Sequence, residues 1–105
     1  MATPECGVTN VSLENSRRLR EEHGRVIAID MTRHRDSEKY GYVTTVDFED
    51  GDQHEFTGFS WGYRGEGPHG LAQWAEEEGV GELNIDVIAE LPNHPGAGTV
   101  WEWMR

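Results

Sequence analysis

Residues 40–59 read YGYVTTVDFEDGDQHEFTGF, and the reading of this stretch decides the fold. Tyr42, Val46 and Phe48 stand at the even spacing that puts side chains on one face of a strand, and Asp50-Gly51 marks a hairpin turn. A two-residue loop would set Val46 beside Glu55 and send Phe56 to the opposite face. A three-residue loop with Gly51 in the left-handed conformation groups Tyr42, Val46, Phe48 and Phe56 on one face instead. A bulged hairpin from Tyr40 to Phe59 is therefore expected.

On the N-terminal side, the β-branched, apolar run Val26 to Met31 reads as a second strand, joined to the hairpin by a polar loop from Thr32 to Lys39. Ser12 to His23 suits a short surface helix with a thin apolar face, Ser12 its N-cap and Gly24 its stop. Residues Met1 to Thr9 carry few apolar groups and are expected to fray. On the C-terminal side, the glycines and proline of residues 60–70 forbid a regular element. A helix follows from Pro68 to Glu78, with Leu71, Trp74 and Ala75 as its buried stripe and Gly79 as its stop. Glu82 to Leu91 alternates, with Leu83, Ile85, Val87 and Ala89 facing one way, and reads as a strand. After a loop from Pro92 to Gly98, a last strand is expected at Thr99 to Met104, with Val100 and Trp101 or Trp103 covering sheet or helix.

These elements predict one domain over residues 1–105 of the α+β class: an antiparallel sheet of four to five strands, one main helix (68–78) packed on it, and a short N-terminal helix. A chain of 105 residues supports one modest core.

Twenty acids stand against nine bases, a formal charge of −11, and a field of that sign repels phosphate backbones and anionic lipid surfaces. Duplex DNA and membranes are thereby excluded as expected partners, and a protein with a basic surface is favoured. Acid enrichment with a single lysine, Lys39, is equally the pattern of adaptation to a saline cytoplasm. Cys6 is the sole cysteine, so neither an internal disulfide nor a cysteine-rich zinc site can form. With no apolar run of transmembrane length, the sequence points to the cytoplasm.

Gly65, Gly67 and Gly70 satisfy GxGxxG between a strand and a helix. The following residues hold no second βαβ unit, and Glu66 sits where a pyrophosphate would approach, so no dinucleotide cofactor is implied. The stretch Trp61, Tyr63, Arg64, Gly65, Gly67 and His69 still offers two readings. One is a small-ligand or nucleotide site at a helix N-terminus. The other is a structural loop whose glycines let Trp61 and Tyr63 fold back onto the sheet. His23, His34, His54, His69 and His94 form no metal-binding motif, the acidic turn lacks the spacing of a calcium loop, and no catalytic constellation is present. The candidate partner-binding carboxylates are Asp47, Glu49, Asp50 and Asp52 on the hairpin and Glu76, Glu77 and Glu78 at the helix end.

The segment Phe59 to Pro68, continued by Leu71-Ala72, resembles a family of short proteins carried by phages, plasmids and prokaryotic genomes. Its members show an aromatic residue, then WGYGGSGP, then a Leu-Ala helix. Ile85 to Pro92, followed by Trp101, is similar to the closing pattern of that family. This chain departs from it at Arg64 and Glu66, where the family has Gly and Ser. The resemblance carries no reaction and implies a mobile-element setting. In that setting a small acidic protein is expected to inhibit or modulate a host protein by occupying a basic, nucleic-acid-binding surface, as an anti-CRISPR does.

Overall fold

The structure, a computed structural model, describes residues 7–35 and 41–105. Cys6, Lys39, Tyr40 at the expected hairpin start and most of the expected frayed segment lie outside the described residues. Among the described residues three helices and four strands follow in the order α1 (Thr9–His23), β1 (Val26–Arg33), β2 (Tyr42–Phe48), β3 (Gln53–Phe56), α2 (Glu66–Glu77), α3 (Ile85–Glu90) and β4 (Gly98–Met104). The sheet is antiparallel with strand order β3-β2-β1-β4, which establishes the α+β class.

The hairpin has the expected geometry. The Phe48 N–H donates to Asp52 O at 2.8 Å, the Gly51 N–H donates to Phe48 O at 2.9 Å, and Gly51 has φ 94°. Thr44 therefore pairs with Phe56, and Val46, Phe48 and Phe56 share the buried face while Tyr42 packs against their cluster. The hairpin is shorter than expected because the chain leaves the ladder after Phe56. Gly58 instead donates its N–H to Ser12 Oγ and accepts a bond from the Thr9 hydroxyl, at 2.8 and 2.7 Å.

That exchange also corrects the role of Ser12. α1 begins at Thr9, and Ser12 lies inside it, fully buried, as an anchor for the Phe56–Trp61 connection. The buried face of α1 is largely polar, comprising Thr9, Ser12, Asn15 and Ser16 beside Leu13 and Leu19. Apolar periodicity reads such a face as thin, because small hydroxyl and amide side chains bury well only when each finds a hydrogen bond.

α2 starts two residues ahead of Pro68, which falls in the first turn, where a missing N–H costs nothing. Trp74 on α2 meets Phe56 and Phe59 at ring-centroid distances of 5.6 and 5.8 Å, fastening the helix to the sheet. The expected strand at 82–91 is a short helix, α3. Asn84 caps it by accepting the Val87 N–H at 3.1 Å, and Asp86 adds a favourable charge in the first turn. Leu91 is extended, as the residue before Pro92 must be. Leu83 and Ile88 are buried, whereas Ile85, Val87 and Ala89 are only partly so, and the apparent alternation places no sheet face.

One core cluster draws on all three helices and on one face of the sheet, through Val26, Ile29, Met31, Val46, Phe48 and Phe56. The helices therefore lie on that face. A bulge between Val26 and Ala28 keeps both Val26 and Ile29 pointing inward and leaves Ile27 exposed.

Candidate functional site

The seven carboxylates singled out by sequence do not form one free acidic patch, because α1 supplies basic side chains to both groups. His23, in the last turn of α1, holds Nδ1 2.7 Å from Asp50 Oδ2 and Nε2 3.2 Å from Asp52 Oδ2. Its hydrogen bond to Asp50 raises the His23 pKa above the ordinary value. The Asp50 carboxyl is correspondingly lowered, first by the Asp52 N–H and then by His23. Glu49 accepts the Arg25 N–H, tying the hairpin tip to the α1–β1 connection.

At the other end, Arg17 grips Glu77 with two bonds of 2.9 and 3.2 Å, which lowers the Glu77 carboxyl. Arg20 donates to the Glu77 carbonyl at 2.7 Å, and Arg105 to the Glu78 carbonyl at 3.1 Å. These guanidinium groups offset the penalty of placing three carboxylates at a helix C-terminus. Glu78 points inward and is only 7% exposed, with Oε1 lacking a hydrogen-bond partner among the described residues and Arg20 Nε 4.0 Å away. Burial pushes its carboxyl above the ordinary range. Glu76 alone of the three is exposed.

The loop residues are held by structural partners. Trp61 is fully buried, donates its indole N–H to Pro92 O at 2.9 Å, and stands edge-on to Tyr42. The Tyr63 hydroxyl lies 2.8 Å from Ser60 Oγ, and Arg64 pairs with Asp86 at 2.7 Å on the surface. The Gly62 N–H donates to Ile88 O, so the loop is bonded to α3. A Cβ on Gly67 would collide with Ser60 Oγ. Gly65 is extended at φ −154°, and its carbonyl accepts the N–H of His69. The helix start carries its own acid, Glu66.

Among the described residues, the surface left open is the sheet face opposite the helices. The ladder aligns its side chains in two rows across all four strands. One row is Glu55, Thr45, Asp30, Glu102, and the next is Gln53, Asp47, Ala28, Met104. Seven of these eight line a shallow recess of about 600 Å³. The rows hold four carboxylates and no Lys, Arg or His. Asp30 and Glu102 are directly opposite, a like-charge arrangement that opposes strand pairing. Thr32 Oγ1 donates to Asp30 at 2.8 Å, and Gln53 donates to Asp47 at 2.8 Å; neither contact brings a cation.

Of these four acids only Asp47 was singled out from sequence. The signal for the others was an acid at the outward position of an otherwise apolar or aromatic strand: Asp30 between Ile29 and Met31, Glu55 beside Phe56, Glu102 between Trp101 and Trp103. Reading it requires knowing that all the described helices lie on one face of the sheet. Among the described residues no helix is long and apolar enough to cross a membrane, and no group of three metal-binding side chains is assembled.

Fold and site together describe a small α+β protein with helices on one side of its sheet and an acidic surface on the other. No family model, no curated protein and no solved structure matches this chain.

Proposed function

We propose that this chain is an acidic interaction protein that docks its open sheet face on the basic, nucleic-acid-binding surface of a partner protein and thereby inhibits or modulates it in the cytoplasm. The observation that carries the reading is the pair of rows with four carboxylates and no cation, including the opposed Asp30 and Glu102. Such a surface stores an electrostatic cost that a cationic partner relieves, and it speeds encounter with that partner. The resemblance of residues 59–72 to a family carried by phages and plasmids supports the role of a mobile-element accessory factor of the anti-CRISPR kind.

The test compares two variants of equal charge as baits in host lysate. The first neutralises the face by Asp30→Asn, Asp47→Asn, Glu55→Gln and Glu102→Gln. The second neutralises four exposed helical acids by Glu14→Gln, Glu21→Gln, Glu76→Gln and Glu90→Gln. A basic protein retained in stoichiometric amount by the wild type and by the second variant, and lost by the first, is the expected result. Equal capture by both variants, or no capture by the wild type, contradicts the proposal.

A further inference from the structure

β4 is seven residues long and forms one edge of the sheet. The Arg105 N–H donates to Ile27 O at 2.8 Å, and Ile29↔Trp103 and Met31↔Trp101 continue that register. An antiparallel ladder turns alternate residues toward its neighbour, so the main-chain groups of Glu102 and Met104 point away from β1. The side chains are sorted as well. Glu102 and Met104 lie on the acidic face, while Trp101 and Trp103 are half-buried on the helix side. Met104 is 80% exposed. The opposite edge, β3, is only four residues long.

We infer that β4 takes up an extended segment of the partner as a fifth strand, and that this segment carries Lys or Arg at every second position. The inference rests on the acidic-face reading above and names the part of the partner that the face receives. In an added strand, successive side chains alternate between faces. One set stands beside Glu102, with Asp30 one strand further in. The other set stands beside Trp101 and Trp103, where an apolar side chain covers what the helices leave exposed. Charge selects this occupant over a second copy of the chain, because two molecules at −11 repel and a β4–β4 edge would join two acidic faces.

The probe is an end-blocked octapeptide of alternating Lys and Val, compared with an octapeptide of four Lys followed by four Val. Met104→Pro removes an outward N–H while keeping every carboxylate, a position where an edge strand tolerates proline. The alternating peptide is expected to bind at least tenfold more tightly than the block peptide and to protect the Glu102 and Met104 amides from hydrogen exchange. Met104→Pro should abolish that preference, and the face-neutralised variant should lose both peptides. Should Met104→Pro fail to fold, amide protection in the wild type decides the matter. Equal affinity for the two peptides without protection, or binding of neither, overturns the edge-strand inference. If both peptides bind and the face-neutralised variant then loses both, the acidic-face reading stands without it. Undiminished binding of both by that variant removes the acidic-face reading itself.

Discussion

At the scale of single residues, Glu78 carries a carboxylate into the interior beside Arg20, and its Oε1 finds no hydrogen-bond partner among the described residues. Its folded pKa lies above the ordinary glutamate value of ~4.3, so its ionised form opposes folding at neutral pH, and that cost vanishes as pH falls below the ordinary value. Glu78→Gln should therefore stabilise the protein at pH 7 by about 1 kcal/mol, the scale of an unsatisfied buried group, and by nothing near pH 4. Thermal unfolding of both proteins across that range checks it. His23 has the opposite sign. Its folded pKa is raised, so the clasp to Asp50 and Asp52 contributes fully below ~6.5 and is lost as pH rises through the folded value. Asp50→Asn should bring the His23 pKa, followed by imidazole NMR shifts, down toward ~6.5. In the glycine-rich loop, Gly67→Ala should cost about 1–3 kcal/mol by overpacking against Ser60 Oγ. Arg64→Ala, which breaks only an exposed pair with Asp86, should change stability by less than about 1 kcal/mol. Denaturant unfolding of these two variants separates a structural loop from a ligand loop, since a ligand loop would tolerate Gly67→Ala.

At the scale of elements, α3 shows where sequence patterning misleads. Leu83, Ile85, Val87 and Ala89 alternate like a strand, yet the six residues after Asn84 close into a helix capped by that asparagine. Alternation over so short a run cannot outweigh a capping side chain and a following proline, both of which were present at Asn84 and Pro92. Asn84→Ala should cost about 1 kcal/mol, read from the midpoint of chemical unfolding. The hairpin was legible down to the left-handed Gly51, because one glycine and one burial pattern admit a single register. α1 was legible in its stop at Gly24 but not in its packing, since its buried face is made of Thr9, Ser12, Asn15 and Ser16. Those residues declare themselves only when Gly58 arrives to bond with them.

At the scale of the whole molecule, the charge of −11 is unevenly disposed. Arg17, Arg20 and His23 project from α1 and engage the acids of the hairpin tip and the α2 terminus, whereas the two central rows of the sheet face opposite the helices hold four acids and no basic residue. Composition revealed the excess of acid, but only the strand order and register showed which acids share a row with no basic residue. Replacing Glu102 by Gln removes the repulsion from Asp30 and should raise the melting temperature in dilute buffer, with the gain shrinking in molar salt as screening takes over. The most direct test of the open face as the contact surface is amide-shift mapping of the 15N-labelled protein titrated with a short arginine peptide at 0.15 M salt. Saturable shifts centred on Ala28, Asp30, Thr45, Asp47, Glu55 and Glu102 are the expected result. Shifts centred on residues 61–70, or on Asp50, Asp52 and Glu76 to Glu78, would contradict it.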